Sequence, residues 1–384
     1  MIFDGVLATF AYLSLALNLW QWLAARRFPL HRRIGARSAE DVSPVTPAVT
    51  LLKPIKGCDE HTKACLRSWF VQEYAGEMQI LLAVPADDDP ACAIINQLLE
   101  EFPDRDAELV VCRERLGANA KISQLVQVEP RVKHDVTLVS DADVRVPPDF
   151  LVNVVAPLRD EQVGVVNCFY RFANPTTLAM QWEAIAVNAD FWSSVLQSVS
   201  FRKLDFALGA VMVTRRKQLA EIGGFKALVN CLADDYQLGQ RVARQGYRIE
   251  LCPVVVECWS GTMGWGEVWR HQLRWARTIR ACQGLPYFFS VLANATLWPL
   301  IWLAAFPSVK VAVAAGICLL VRLGTATELQ TRLTQQRVSL LRLWLVWVKD
   351  LLQFALWLGA FTGNQVEWRG ERYRLRRNGI LERK

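Results

Sequence analysis

The sequence predicts an α/β fold with a mostly parallel sheet and with membrane helices at both ends of the chain. Three observations predict this architecture. Short apolar strands alternate with helical stretches in the first half of the chain. The charge-free run from Gly5 to Ala25 is long enough to cross a bilayer. The chain becomes almost continuously apolar again from residue 286 onward.

The composition supports a water-soluble domain attached to membrane segments. Of the 384 residues, 52% are hydrophobic and 21% are charged, and the mean hydropathy is +0.16. These values exclude a disordered chain and a small disulfide scaffold. The net charge of +7 is concentrated in basic clusters beside apolar segments, which favours cytoplasmic membrane flanks over nucleic-acid binding. The ten cysteines have no C-x-x-C or zinc spacing, as expected of reduced cytosolic thiols.

The first predicted element is a transmembrane anchor over residues 1–27. Asp4 precedes the apolar run and Arg26-Arg27 follow it, whereas a cleaved signal peptide carries its basic residues in front. We therefore expect an uncleaved anchor with its N-terminus outside and the following domain in the cytosol. Residues 28–47 form a basic, polar linker in this prediction.

Residues 48–258 are predicted to form the cytosolic α/β domain. We expect strands over 49–52, 79–84, 108–112 and 135–140, and helices over 60–73 and 90–102. Because these strands are apolar throughout, the sheet should be covered on both faces. Ligands of such sheets bind beyond the carboxyl ends of the strands, so the polar residues that follow each strand are the candidates for a site.

The remaining residues are predicted to return to the membrane. We expect an amphipathic, Trp-rich interfacial segment over 259–285, two transmembrane segments within 286–324 (287–306 and 308–324), a polar loop followed by a membrane or re-entrant segment over 325–362, and a basic cytoplasmic tail over 363–384. Lys349-Asp350 lies in the middle of the last apolar stretch and requires an internal ion pair if that stretch spans the bilayer. Two spans plus one re-entrant or interfacial segment would place both basic clusters in the cytosol.

The strongest chemical signal is the pair Asp141 and Asp143, directly after the predicted strand 135–140. Two carboxylates at i and i+2 can hold a hard divalent cation, which would bridge diphosphate oxygens. A solvated turn is the alternative, because the D-x-D pattern is common.

The second signal is the pair Asp234 and Asp235 at the start of a predicted helix. A helix cap explains one of these carboxylates but not both. The other can act as a general base that accepts a proton from an attacking hydroxyl. Gly209 offers a place where another backbone could approach closely.

The third signal is His271, Arg274 and Trp275 in the Trp-rich segment before the membrane. One interpretation is an interfacial anchor helix. The other pairs Arg274 with a diphosphate and lets Trp275 line an apolar acceptor cavity.

Two weaker signals lie earlier in the chain. Asp87 and Asp88 follow the second strand, where a carboxylate could accept hydrogen bonds from a nucleotide base or ribose, although an exposed acidic turn is an equal alternative. Lys121 is a candidate phosphate contact, with an ordinary surface lysine as the alternative.

Together these residues resemble the membrane-bound family 2 type glycosyltransferases of GT-A fold, and within them the ceramide glucosyltransferases. The resemblance covers residues 48 to 380 and rests on a set of short matches in the order expected of that group. They are Leu51 to Gly57 (LLKPIKG), Asp88-Asp89-Pro90-Ala91, Asp141 with Val144-Arg145-Val146, Asp235-Tyr236, Arg274-Trp275, and the tail residues Trp368-Arg369 and Arg372 to Leu375.

The resemblance implies a GT-A-like nucleotide-sugar-binding domain and a role for each matching residue. Asp141 with Asp143 would bind a divalent cation, Mn²⁺ or Mg²⁺, and the sugar diphosphate. Asp235 would be the base of an inverting displacement. The diphosphate and the acceptor would contact Asp234, His271, Arg274 and Trp275, and the uridine would contact Pro54, Lys56 and the acidic turn.

The chain departs from the family pattern at three positions. Ala86 stands where an aspartate is usual, and Asp87 is its candidate substitute. His271 stands where glutamine or arginine is expected, as it also does in the similar hopanoid biosynthesis-associated glycosyltransferases. Asp143 replaces the glycine of the animal ceramide enzymes, which favours a metal site with two carboxylates.

The resulting expectation is an integral protein of a bacterial inner membrane with a cytoplasmic catalytic domain. It would transfer a hexose from UDP-glucose to a ceramide-like membrane lipid. The alternatives are an N-acetylglucosaminyl or other glycosyl transfer to a hopanoid lipid, a processive polysaccharide synthase, and a non-catalytic membrane scaffold. Product length, product mass and nucleotide-sugar binding would separate these four hypotheses.

Overall fold

The computed structural model describes residues 2–34, 46–368 and 370–383. The part of the predicted linker over 35–45 and the basic residues Arg37, Arg369 and Lys384 lie outside these residues. The described chain forms one large sheet and one small sheet. Their strands are β1 (Val49–Pro54), β2 (Met78–Val84), β3 (Asp106–Val111), β4 (Val136–Ser140), β5 (Val144–Arg145), β6 (Val163–Phe172), β7 (Val211–Arg215), β8 (Arg248–Cys258), β9 (Gln365–Trp368), β10 (Glu371–Leu375) and β11 (Leu381–Arg383).

The large sheet has the strand order β3-β2-β1-β4-β7-β6-β8-β5. Strands β1 to β4 pair in parallel with one another, and β6 is parallel to β8. Every residue of β1, β2 and β4 is buried, which confirms the prediction of a mostly parallel sheet covered on both faces. The exceptions are β7, which runs antiparallel to β4 and β6, and the short edge strand β5.

The helices cover both faces of this sheet and continue into the membrane segments. They are α1 (Ile2–Arg27), α2 (Thr62–Phe70), α3 (Ala91–Glu101), α4 (Ala120–Val128), α5 (Phe150–Val155), α6 (Leu178–Ile185), α7 (Trp192–Val199), α8 (Arg216–Glu221), α9 (Asp234–Arg244), α10 (Trp265–Cys282), α11 (Gly284–Phe289), α12 (Leu297–Ala305), α13 (Val309–Thr334) and α14 (Leu345–Phe361). Helices α2, α3 and α5 pack on one face through a core that includes Trp69, Phe70 and Phe150. Helices α4, α8 and α9 cover the other face.

The reversed strand β7 determines which segments meet at the carboxyl edge of the sheet. In its antiparallel pairing with β4, Val211 lies opposite Ser140. Strand β7 therefore begins where β4 ends, and the backbone N–H of Asp141 donates to the carbonyl of Ala210 at 3.2 Å. Strands β6 and β8 end at this same edge because each runs opposite to β7.

Three helices in the described residues are long and apolar enough to cross a membrane, namely α1, α13 and the segment Leu340–Phe361. In the region of the membrane segment predicted over 287–306, the structure has a pair of helical pieces, Gly284–Ala293 and Leu297–Ala305, bent by 56°. The bend follows from Asn294, whose side-chain oxygen accepts from the N–H of Leu297 at 2.9 Å and so starts a new helix. The polar loop predicted from residue 325 is also corrected, because α13 continues to Thr334.

The charges predicted in the middle of the last apolar stretch are paired inside the structure. Asp350 accepts from Arg322 Nε at 2.8 Å and Nη2 at 2.9 Å, and it lies 2.6 Å from Lys349 Nζ. Asp190 completes the group, with 2.9 Å to Arg322 Nη2 and a short contact to Lys349. Asp190 belongs to a π-helical turn between α6 and α7, so this cluster joins α13 and α14 to the α/β domain.

The predicted basic tail forms the small antiparallel sheet β9 to β11, which docks beside the start of α9. The N–H of Leu232 donates to the carbonyl of Gly379 at 2.8 Å, and the N–H of Leu381 donates to the carbonyl of Asn230 at 2.7 Å. The tail therefore supports the loop that leads into Asp234.

Candidate active site

The centre of the site is a buried lysine between two carboxylates from distant parts of the chain. Lys121 Nζ lies 2.7 Å from Asp141 Oδ1 and 3.1 Å from Asp234 Oδ2. Asn119 begins α4, which carries Lys121, and its amide also donates to Asp234 Oδ1 at 3.4 Å. Lys121 is only 6% exposed, so the alternative of an ordinary surface lysine is wrong. Burial alone would lower the pKa of Lys121, but Asp141 and Asp234 more than offset this and hold it protonated.

Asp235 lies beside this ion pair at the first turn of α9. Burial, reinforced by the charge of Asp234, raises the pKa of Asp235 to about 7. The residue before the helix is Ala233, so neither aspartate is the N-cap residue. Asp235 Oδ1 nevertheless accepts from the N–H of Tyr236 in the first turn at 2.7 Å. Gly209 makes room for the carboxylate, because a Cβ at that position would lie 2.7 Å from Asp235 Oδ2. The close neighbour of Gly209 is thus a side chain, whereas the sequence predicted a close approach of backbone.

Asp141 and Asp143 occupy the turn directly after β4, as predicted. Desolvation by the neighbouring protein atoms, reinforced by the charge of Asp141, raises the pKa of Asp143, but the side chain is exposed, so water reduces this effect. Lys53, near the end of β1, lies beneath this turn and donates to Ser140 Oγ at 3.2 Å and to the Asp141 carbonyl. Burial lowers the pKa of Lys53 to about 8 against the opposing effect of the nearby acids.

The residues predicted to contact the nucleotide lie at the ends of β1 and β2. Pro54 is buried opposite Ala83, and Lys56 is exposed just beyond it. Asp87 and Asp88 are also exposed, and Asp87 is paired with Arg113.

The third carboxylate of this acidic turn, Asp89, has a structural role instead. It accepts from the N–H of Gly57 at 3.0 Å and from the N–H of Ala91 at 2.9 Å. The two predicted nucleotide-contacting loops are thereby joined to each other.

Helix α10 carries His271, Arg274 and Trp275 along the membrane side of the cleft. The ring of Trp275 lies 4.8 Å from the His271 ring and 6.3–6.4 Å from those of Phe172 and Phe191. The end of α10 lies beside the start of α9, where the Tyr236 hydroxyl donates to the Cys282 carbonyl at 3.5 Å. Burial, reinforced by the charge of Asp235, raises the pKa of the Cys282 thiol. Arg274 is partly buried and has a partner in the protein.

Sequence reasoning missed two side chains of this region. Tyr170, near the end of β6, has a pKa well above its usual value because of burial and the negative charges of Asp235, Asp141 and Asp143. Glu183 is fully buried and accepts from His271. Glu183 could have been identified from the sequence as a candidate buried carboxylate, because it is the single acidic residue in the apolar run of residues 178–187.

The carboxylates fit a divalent cation that is coordinated jointly with a ligand. Four acids face two lysines here, so negative charge remains uncompensated. Within the described residues, no group of three or more His, Cys, Asp or Glu side chains is arranged to enclose a metal ion. A cation at Asp141 and Asp143 would thus take its other ligands from a bound diphosphate or from water.

The family assignment follows from a comparison of the whole chain with known proteins. The sequence profile named Glycosyl transferase family 21 matches residues 6–381. The chain belongs to glycosyl transferase family 21. This match confirms the resemblance proposed from the motifs, and it spans the membrane segments as well as the α/β domain.

Among the relatives of this family 21 chain are several ceramide glucosyltransferases. Ceramide glucosyltransferase 3 of Caenorhabditis elegans is 24% identical over 229 residues, which cover 59% of this chain and 48% of that enzyme. The ceramide glucosyltransferase of Candida albicans is 30% identical over 129 residues, or 31% of this chain and 24% of that enzyme. The chain therefore matches less than half of the length of these two relatives.

A solved structure shares the fold of this family 21 chain. The mannosyltransferase PcManGT from Pyrobaculum calidifontis, solved in complex with GDP-Man and Mn²⁺, superposes with a TM-score of 0.56 and 21% identity. The superposition covers 91% of this chain and 99% of that one. This likeness confirms the predicted GT-A-like fold.

Proposed function

We propose that this chain is an inverting glycosyltransferase that moves a hexose from a nucleotide diphosphate sugar to a hydroxyl of a membrane lipid. The observation that carries the proposal is the position of Asp235. Its carboxylate has a pKa of about 7. On one side lies the acidic turn after β4, and on the other lies the aromatic helix α10, which precedes the membrane segments. A general base works best when its pKa lies near the working pH.

The proposed reaction is a single displacement. The Asp235 carboxylate accepts the proton of the acceptor hydroxyl while that oxygen attacks the anomeric carbon of the donor sugar. The bond between the anomeric carbon and the diphosphate oxygen breaks on the opposite face, and the nucleoside diphosphate leaves. Configuration at the anomeric carbon is inverted because one displacement occurs.

The leaving diphosphate needs positive charge, and we propose two sources. A divalent cation, Mn²⁺ or Mg²⁺, held by Asp141 and Asp143 would neutralise charge on the diphosphate oxygens. Arg274 is the proposed protein contact to the same group, because guanidinium matches phosphate geometry. Lys121 keeps Asp141 and Asp234 in place and adds positive charge below them.

We propose UDP-glucose as the donor and a ceramide-like lipid as the acceptor. The ceramide glucosyltransferase relatives support this choice. Pro54, Lys56, Asp87 and Asp88 are the proposed contacts to the uridine side of the donor. The membrane helices would keep the lipid tail in the bilayer of a bacterial inner membrane, with the α/β domain on the cytoplasmic side.

The test is product identification with the full-length protein in lipid nanodiscs. Wild type, D235N and D160N are each incubated with UDP-glucose or UDP-N-acetylglucosamine, Mn²⁺ and either ceramide or a hopanoid alcohol. Asp160 is a matched control, because it is exposed and lies just before β6. This is the end of the strands opposite to the carboxyl ends where the candidate site lies. We expect glucosylceramide by mass spectrometry from wild type and D160N, and a loss of about 10²–10⁴-fold in D235N.

Other products would replace the proposal with a specific alternative. A glycosylated hopanoid would identify a hopanoid lipid as the acceptor, and a long polymer would indicate a polysaccharide synthase. Full activity in D235N would contradict Asp235 as the base. Nucleotide-sugar binding without any transfer would indicate a non-catalytic scaffold.

A further inference from the structure

The C-terminal tail holds the start of α9 on both sides of Asp235 along the chain. Before the helix, the N–H of Leu232 donates to the carbonyl of Gly379 at 2.8 Å. Within the first turn, Gln237 Nε2 donates to the carbonyl of Asn378 at 2.9 Å. Leu232 and Gln237 are both buried, and a hydrogen bond between buried groups is costly to break. The tail therefore fixes the part of the helix that carries the base candidate.

The turn at Asn378-Gly379 lies between the start of α9 and the end of α10. A Cβ at Gly379 would lie 3.0 Å from Cys282 Sγ and 3.6 Å from the Cβ of Ala233, the residue before α9. Gly379 has φ +76° and Asn378 has φ +61°, both in the left-handed region. Glycine and asparagine adopt this region more readily than most residues do. A larger residue at position 379 would therefore push the two helices apart.

The same tail also holds the segment that leads to Lys121. Tyr373 of β10 is only 2% exposed, and its hydroxyl donates to Glu371 at 2.7 Å. Arg115 pairs with Glu371 and donates to the Tyr373 hydroxyl, and it also donates to the carbonyl of Ala118 at 3.0 Å. Ala118 lies just before α4, which carries Lys121. The small sheet is thus hydrogen-bonded to the segments that precede both α4 and α9.

We propose that the C-terminal sheet positions the base of the active site, and that the turn Asn378-Gly379 is its positioning element for Asp235. A general base must lie within hydrogen-bond reach of the hydroxyl proton that it accepts, and a misplacement of about 1 Å can cost about 100-fold in rate. A displaced base slows the chemical step and leaves the donor site unchanged. The tail therefore acts on kcat and not on the KM of the donor. This inference rests on the proposed glycosyl transfer, in which Asp235 is the base.

The test begins with two single substitutions in the full-length protein in nanodiscs, with UDP-glucose and ceramide. G379A places a methyl group 3.0 Å from Cys282 Sγ. The matched control is G370A in the same tail, because Gly370 has φ +82° but nothing within 4 Å of its Cβ position. Both variants carry the strain of alanine in the left-handed region, and only G379A adds the steric contact. We expect G379A to lower kcat by about ten- to 100-fold without a change in the UDP-glucose KM, and G370A to keep the wild-type kcat.

Two double variants separate positioning from a general loss of folded protein. G379A/C282A removes the sulfur atom that the new methyl group meets, so it should recover most of the kcat that G379A loses, and C282A alone should resemble wild type. G379A/D235N should be no slower than D235N, because a base that has been removed cannot be misplaced. A loss of folded protein would instead lower activity by the same factor in both backgrounds.

Three results would overturn the inference. The first is a kcat of G379A equal to that of G370A. The second is a kcat of G379A/C282A as low as that of G379A. The third is the same fold loss from G379A in the D235N background as in wild type. In each case the proposed function stands, since wild type still transfers the hexose to ceramide. Absence of that transfer by wild type would instead refute the proposed function, and this inference with it.

Discussion

Two clusters of charged side chains in this chain are built differently, one among the candidate membrane helices and one at the candidate active site. The membrane cluster pairs two acids with two bases, namely Asp190, Asp350, Arg322 and Lys349. The site cluster places four acids around two bases, namely Asp141, Asp143, Asp234, Asp235, Lys53 and Lys121. The first cluster is neutral as it stands, and the second retains negative charge.

This difference in net charge indicates different roles for the two clusters. The balanced membrane cluster fits a structural role, and the acidic site cluster fits the proposed functional role. A charge inside a bilayer is tolerated when it is paired, and each member of the membrane cluster has its partner at hydrogen-bond distance. The site cluster instead holds two carboxyls whose pKa is raised above the ordinary value, Asp143 and Asp235. Such acids stabilise the fold poorly but are available to a cation and to a proton.

The largest expected effect is loss of activity when the site cluster loses a cation ligand. In D141N, we expect transfer to fall by at least about 100-fold, because positive charge on the leaving diphosphate is lost. Treatment of wild type with EDTA should have the same effect and should be reversed by Mn²⁺. Product formation is measured by mass spectrometry with D160N as the control. Activity that persists in EDTA would contradict the metal hypothesis.

The next effect is a loss of stability when the membrane cluster is unbalanced. In R322M, Asp190 and Asp350 keep only Lys349, and removal of one partner from a buried ion pair costs about 3–5 kcal/mol. We expect a lower thermal midpoint in nanodiscs, followed by tryptophan fluorescence. The matched control is K310M, which removes an exposed cation from the same helix.

A charge-balanced double variant makes this prediction sharper. R322M/D350L removes one charge of each sign, and apolar replacement of a buried pair is often nearly neutral. We expect it to recover much of the stability that R322M loses. A double variant as unstable as the single variant would mean that the packing of Arg322, and not charge balance, stabilises the helices.

The sequence predicts those parts of the molecule that depend on local pattern. Strands β1, β2 and β4 could be predicted because burial on both faces leaves an uninterrupted apolar run. The places of Asp141 after a strand and of Asp235 at the start of a helix could also be predicted, and their role in a site stays a prediction.

The parts that could not be predicted depend on packing between distant segments. Lys121 lies more than one hundred residues from Asp234 in the chain, and Glu183 lies 88 residues from His271. No local pattern gives these pairs. The antiparallel pairing of β7 with β4 and the hydrogen bond from Asn294 to the Asp350 carbonyl at 2.8 Å likewise join segments that are far apart in the chain.

A smaller effect is a shift in the pH dependence of transfer. Since the pKa of Asp235 is about 7, kcat/KM should rise as pH increases through 7 and then level off, because the base must be ionised. Asp234 is the nearest charge that raises this pKa. In D234N, we therefore expect the acidic limb to move to lower pH by about one unit, which corresponds to 1.36 kcal/mol. An unchanged limb would exclude Asp235 as the titrating base.

The smallest effect is that of D235N on stability, and its sign is opposite to the effect of neutralising an acid in the membrane cluster. The pKa of Asp235 rises on folding from 3.8 to about 7, so its ionised form destabilises the folded protein at pH 8, and this penalty shrinks as pH falls from 7 toward 4. D235N should thus raise the thermal midpoint at pH 8 by about 2–4 °C, equivalent to about 1 kcal/mol, and by less at pH 5. In D350N, the same chemical change unbalances the membrane cluster and should lower the midpoint. If D235N also lowered the thermal midpoint, the charges of the site cluster would stabilise the folded protein. Its excess of acidic residues would then not be a loss of stability that the proposed function requires.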